Sequence, residues 1–218
     1  MGAPLKLAVL VSGRGSNLAA LLQAIDHGSC DASVVGVLAD RPTAPALELA
    51  HARAIPTRVV SAKQFPERAE WDCELTAQVA ALAPDLVVLA GFMRLVGPAL
   101  LARFAGHIIN VHPALLPAFP GLDAPGQAVR AKVCVSGCTV HVVDAGVDTG
   151  PVLAQAAVPV LASDDAVSLH GRIQQAEHAL LPAVVNAIAR GTIVLGSPPR
   201  FAGSYPANTI PLVWPPLI

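Results

Sequence analysis

The sequence predicts an α/β protein in three layers: a mostly parallel, twisted sheet with helices on both faces. Three observations carry this. Apolar runs of strand length recur at Leu5–Val11, 33–38 and 86–90. They are nearly continuous rather than alternating, as expected of strands covered on both faces. Segments with apolar residues at three-and-four spacing fall between them, and that strand–helix alternation implies parallel crossovers.

The elements follow in order. Leu5–Val11 is the first strand. A turn-rich stretch, Ser12-Gly-Arg-Gly-Ser-Asn17, follows it. Leu18, Leu21, Leu22 and Ile25 then recur at helical spacing, with Gly28 as a stop signal. Residues 33–38 form a second strand closing on Ala39-Asp40. Residues 44–54 read as a helix, 56–60 as a short strand, and 67–82 as a helix halted by Pro84. Residues 86–90 are the third strongly apolar strand. A short helix over 97–104 carries Pro98 in its first turn. Residues 107–112 are a strand. The four prolines of 113–125 make that stretch loop.

Residues 127–131 read as a helical turn, and 139–143 and 152–159 as the last clear strands. Ser163 to Asp165 offers caps for a long helix. Its apolar residues Leu169, Ile173, Ala176, Leu180, Val184 and Ile188 share one face. Pro182 is a candidate kink and Gly191 the end. Residues 1–196 are expected to form one domain, with halves at 1–105 and 106–196. Residues 197–218 form a Pro-rich tail that cannot be a regular helix. Its Leu212, Val213, Trp214 and Leu217 are expected to dock against the body or a second copy.

Composition excludes several classes. Lys+Arg total 14 against 15 Asp+Glu, a net charge of −1, so no basic excess serves nucleic acid. The chain is 54% hydrophobic with a mean hydropathy of +0.58, which argues against disorder. Uncharged apolar stretches such as 133–143 fall short of the ~20 residues a spanning helix needs. The N-terminus is one strand-like run, not a signal peptide. A soluble, cytoplasmic protein without membrane partners is expected. Cys30, Cys73, Cys134 and Cys138 match no zinc spacing and read as buried, reduced thiols.

Ligands of such sheets bind at the carboxyl ends of strands. Five places qualify. In Ser12–Asn17, glycines permit close backbone approach and the following helix offers free N–H groups to an anion. The third glycine of a dinucleotide loop is missing, so a monophosphate fits better. An ordinary strand-to-helix turn is the equal alternative. Ala90-Gly-Phe-Met-Arg94 offers backbone groups and apolar side chains to a flat heterocycle, though alone it reads as an apolar strand-end turn. Asn110 and His112 lie two apart on a strand and share a face, a candidate oxyanion site; a lone histidine is otherwise structural. In the loop Asp144 to Pro151, either Asp144 or Asp148 could face His112 and favour imidazolium. Glu177, taken alone, reads as a solvated helix carboxylate at the border of the apolar face.

Together these motifs resemble a known family. Ser12-Gly-Arg-Gly-Ser-Asn17, Ala90-Gly-Phe-Met-Arg94, Asn110-Val-His-Pro-Ala-Leu-Leu-Pro117, Pro120-Gly-Leu122, Gly137-Cys-Thr-Val-His141 and Asp148-Thr-Gly-Pro151 occur in order. Their intervals are similar to those of the folate-dependent glycinamide ribonucleotide formyltransferases, over roughly residues 5–195. The resemblance implies a formyltransferase fold with a Rossmann-like, nucleotide-binding N-terminal half. It implies formyl transfer from 10-formyltetrahydrofolate, a cosubstrate, to the glycyl amine of phosphoribosylglycinamide, with no metal, in a monomer or homodimer.

It also implies roles. Gly15, Ser16 and Asn17 would cradle the ribotide phosphate, and Gln174 and Glu177 would hold the ribotide. Arg68, Met93, Arg94, Leu95, Val96, Asp144, Ala145, Gly146 and Val147 would bind folate, joined by Asn110 and Asp148. Asn110, His112 and Asp148 would be catalytic. Two positions depart from the family pattern: Asp123, where histidine is frequent, and Lys132, where glycine is common. A formyltetrahydrofolate hydrolase is the nearest rival reading, but such an enzyme is expected to need a further N-terminal domain. A binding module without turnover is the other.

Overall fold

The computed structural model describes residues 3–196 and 198–202. The chain runs β1 (Leu5–Val11), α1 (Ser16–Asp26), β2 (Ala32–Ala39), α2 (Ala46–His51), β3 (Thr57–Val59), α3 (Arg68–Ala80), β4 (Leu86–Leu89), α4 (Pro98–Arg103) and β5 (Ile108–His112). It continues through α5 (Ala124–Arg130), β6 (Val135–Val142), β7 (Val152–Pro159), α6 (Ala166–Ala189), β8 (Ile193–Val194) and β9 (Arg200–Phe201).

Seven strands form one sheet in the order β3-β2-β1-β4-β5-β6-β7. The first five are parallel, and β6 and β7 run antiparallel. Strand alternation sorts the core onto two faces. Leu7, Val9 and Val11 of β1 pack with α1, α2 and α6, whereas Ala8 and Leu10 pack with α3 and α4. A helix layer on each face of the sheet gives the expected three-layer α/β architecture. The strand order turns outward in opposite directions from β1 and β4. That divergence opens a crevice at their carboxyl ends, where open α/β sheets hold ligands.

Several boundaries differ from expectation. β6 begins at Val135, not 139. Ser136 and Gly137 belong to the strand through pairing with Val158 and Ala157 of β7. α5 starts at Ala124, so Pro125 lies in its first turn, where a missing N–H removes no helix bond. α2 ends at His51 rather than 54, and α3 at Ala80 rather than 82. α6 runs unbroken through Pro182. Its start is fixed by Asp165, which accepts from Ser168 N–H, while the Ser168 hydroxyl receives Asp165 N–H. β8 and β9 form a small antiparallel ribbon. The tail residues Leu212, Val213, Trp214 and Leu217 lie outside the described residues.

Cysteine burial divides two and two. Cys30 and Cys138 are buried, and burial pushes their thiols up to about 11 and about 12. Cys73 and Cys134 are exposed, contrary to the expectation of buried thiols throughout. No described helix is long and apolar enough to cross a membrane.

Candidate active site

The phosphate-loop candidate leaves β1 at the crevice. Gly15 caps α1 with φ +77°, and a Cβ there would stand 2.6 Å from Ala46 Cβ. Only glycine fits this approach, so the first N–H groups of α1 at Ser16 and Asn17 stay open to a ligand. Asn17 is buried, and its Nδ2 donates to Glu177 Oε2 at 2.9 Å, joining residues 160 apart in sequence. Glu177 is 4% exposed, so it is not the solvated helix carboxylate that its spacing suggested. Burial pushes its carboxyl up to about 7, against the opposing hydrogen bond from Asn17. Asn17 Oδ1 is buried without a hydrogen-bond partner among the described residues. Gln174 lies one turn before Glu177 on α6.

The catalytic candidates meet at the end of β5. His112 is 5% exposed; its Nδ1 lies 3.3 Å from Asp148 Oδ2, and its Nε2 lies 2.9 Å from Phe119 O. Of the two acidic candidates only Asp148 faces His112. Asp144 instead accepts from Gly146 N–H and the Thr149 hydroxyl within its own loop. Burial pushes the Asp148 carboxyl up, but the facing His141 ring nitrogen, the Gly121 N–H and the charges of both histidines outweigh it. The carboxyl is held below the usual carboxylate range. Gly121 N–H donates to Asp148 Oδ2 at 2.8 Å, which ties this loop to the 113–125 loop.

His141 completes the cluster. It sits opposite Asn110 in the β5–β6 register and is 2% exposed. Asn110 Nδ2 is 3.2 Å from His141 Nε2, which is 3.6 Å from Asp148 Oδ1. His141 lay inside a quoted motif but had no role in the sequence reading. Its signal was parity: His141 and Thr139 share a face of β6, as Asn110 and His112 share one of β5. Thr139 Oγ1 donates to Ala114 O at 2.6 Å and accepts from Leu116 N–H at 3.0 Å, pinning the chain just past His112.

The folate-loop candidates lie across the crevice. Met93 and Leu95 are 63% and 58% exposed. Val96 instead packs partly against the α3/α4 face. Arg68 Nη2 donates to Leu95 O at 2.7 Å. Arg94 Nε donates to Asp40 Oδ2 at 2.9 Å, and both arginines stack on Trp71. Asp40 is a second residue that sequence reasoning passed over, a carboxylate 4% exposed at the end of β2. Val147 is 46% exposed, on the loop with Ala145 and Gly146. Asp123 (φ +56°) precedes α5 and pairs with Arg130 at its surface, and Lys132 takes φ +55°, a region that favours glycine. Among the described residues no group of three or more metal-binding side chains occurs.

Comparison with known proteins identifies the family. The family described as "Formyl transferase" matches residues 5–185. A phosphoribosylglycinamide formyltransferase of Mycobacterium tuberculosis is 50% identical over 195 residues, 89% of this chain and 90% of that protein. One of Bacillus subtilis is 42% identical over 180 residues, 83% and 92% of the two chains. The solved glycinamide ribonucleotide transformylase 1 of Symbiobacterium toebii superposes with a TM-score of 0.89 at 41% identity, covering 93% of this chain and 96% of that one. The family match covers residues 12–17, Asn110 and His112, and the Asp148 loop, and so the chain belongs to the formyl transferase family.

Proposed function

We propose that this enzyme transfers a formyl group from 10-formyltetrahydrofolate to the glycyl amine of phosphoribosylglycinamide, giving formylglycinamide ribotide and tetrahydrofolate in de novo purine biosynthesis. The observation that carries the reading is the cluster of Asn110, His112 and Asp148 between a phosphate-type loop and an exposed apolar loop. The half over 1–105 supplies the phosphate cradle, and that over 106–196 supplies the catalytic side chains. Both substrates are small molecules, and a cytoplasmic setting follows from that pathway.

The chemistry follows from the donors and acceptors present. The neutral glycyl amine attacks the formyl carbon, and negative charge develops on the formyl oxygen. Asn110 Nδ2 and the His112 ring donate to that oxygen. For this, His112 Nε2 exchanges its contact with Phe119 O for the substrate oxygen. Asp148, already ionised, keeps His112 oriented through Nδ1 and takes the amine proton directly or through water. The carbon–N10 bond of the folate then breaks, N10 gains a proton, and the formyl group remains on the glycyl nitrogen. Gly15, Ser16 and Asn17 bind the ribotide phosphate, and Gln174 and Glu177 the ribotide, with the Glu177 carboxylate accepting from a sugar hydroxyl. Arg68, Met93, Leu95 and the loop 144–148 hold the folate.

The test is release of deformylated folate from 10-formyldideazafolate with and without ribotide. Ribotide-dependent release supports the transferase. Release without ribotide would indicate a hydrolase, and binding without release a module that lacks turnover.

A further inference from the structure

β1 and β4 are neighbours, and the two substrate loops leave their carboxyl ends side by side. Among the described residues, both hydrogen bonds joining the 12–17 loop to the 91–97 loop are made by Ser12. Its N–H donates to Gly91 O at 3.1 Å, and its Oγ accepts from Met93 N–H at 2.8 Å. The ladder explains why a side chain is needed. Ala90 N–H still donates to Leu10 O, but the chain then turns at Gly91 (φ +75°), which carries Met93 N–H off the ladder. A hydroxyl one residue past the end of β1 replaces the missing strand partner. Ser12 is 2% exposed, so water does not substitute for it.

Each loop is otherwise anchored away from the other. Gly13 O accepts from Ala46 N–H on the ribotide side. On the folate side, Leu95 O is held by Arg68, and Gly97 and Ala99 N–H by Asp72. Their relative position therefore passes through Ser12, by one hydrogen bond from its backbone and one to its hydroxyl.

We propose that Ser12 is a positioning residue that sets the folate loop against the ribotide loop, and so places the formyl carbon within reach of the glycyl amine. This rests on the transferase reading of the site. Transfer between two bound substrates is sensitive to placement, and a 1 Å error costs ~10²-fold. Binding of either substrate alone needs only its own loop.

The test compares Ser12→Ala, Ser12→Thr and native enzyme in steady-state transfer, with each substrate's affinity also measured singly by calorimetry. Ser12→Ala is expected to lower kcat at least ~10-fold while single-substrate affinities change less than ~3-fold. The pH profile of kcat stays native, because His112 and Asp148 are untouched. Ser12→Thr keeps the oxygen and restores kcat to within ~3-fold of native. Should the alanine variant not fold, Ser12→Cys carries the test, since a thiol fills similar space but accepts a hydrogen bond poorly, and it must show the same loss. Alanine or cysteine variants with native kcat would overturn the proposal, as would losses confined to melting temperature and affinity. Absence of ribotide-dependent transfer in the native enzyme would overturn the transferase reading instead, which keeps the two failures apart.

Discussion

Replacing Glu177 with glutamine isolates the effect of a buried carboxyl on both stability and ribotide binding. Glu177 is 4% exposed and its hydrogen bond is to a neutral amide, Asn17, with no cation paired to it among the described residues. Burial raises its carboxyl from 4.5 to about 7, so the folded state holds a proton that the unfolded chain releases at lower pH. Stability is therefore highest below the unfolded value, falls as pH rises through the interval up to about 7, and is level above it. A tenfold difference in proton affinity between the two states is worth about 1.4 kcal/mol, so the loss is on the order of 3 kcal/mol. Glutamine is a neutral isostere that still accepts from Asn17 Nδ2. In urea unfolding, Glu177→Gln should therefore lack this decline and exceed native stability at about pH 8 but not at about pH 4. Ribotide binding runs the other way. A sugar hydroxyl donates to the ionised carboxylate, so the native KM for ribotide should rise as pH falls below about 7, up to ~10-fold for each step of one in pH. Glu177→Gln should show a raised KM without that slope. Parallel stability curves for the two proteins, or a native ribotide KM flat between about pH 6 and about pH 8, would refute the reasoning.

Further outcomes are expected elsewhere in the site. Asp148→Asn should lower kcat by ~10²–10⁴ with little change in either KM, measured in steady state, since it removes the proton acceptor and the orienting partner of His112. Because the Asp148 carboxyl titrates below the usual carboxylate range, native kcat should not lose this group's contribution until pH falls below that range. Gly15→Ala puts a Cβ against Ala46 and a non-glycine residue at φ +77°, at a strain of about 1–2 kcal/mol; ribotide KM should rise well above folate KM. Arg94→Ala frees the buried Asp40 and should raise folate KM, leaving ribotide KM within ~2-fold by the same assay, and lower the melting temperature by leaving that charge with only Arg41.

The central sheet was legible in the sequence because its signals are local and strong. A strand buried on both faces must be apolar at successive positions, and residues 7–11 and Leu86–Leu89 are. The pair Asn110 and His112 was legible because strand parity alone puts them on one face. What escaped needed partners distant in sequence. The start of β6 at Val135 depends on pairing with β7, which extends the strand four residues before the expected 139. Glu177 read as solvated because nothing on α6 reveals that Asn17 waits 160 residues away. Parity puts His141 on one face of β6 with Thr139, but its place opposite Asn110 required the antiparallel register of β5 and β6. Asp40 had no role in the sequence reading, since its meaning depends on Arg94 folding back over Trp71.

The scarcity of charge gains a physical meaning from these partners. Carboxylates are seldom buried without compensation. Here Asp40, Asp72 and Glu177 are buried and Asp148 is largely covered. Asp40 anchors Arg94; Asp72 takes Gly97 and Ala99 N–H at the start of α4; Asp148 binds His112 and Gly121 N–H; Glu177 holds Asn17. Each joins segments far apart in sequence, and three of the four accept from a backbone or side-chain group within a proposed substrate loop. Packing alone would hold a sheet with these apolar strands, so the interior carboxylates are better explained by what they position. A hydrophobic replacement could match an ion pair in stability. It could not aim a loop N–H or an imidazole at a reacting atom, and that separation is measurable: variants at these four positions should lose transfer activity well beyond any loss of melting temperature.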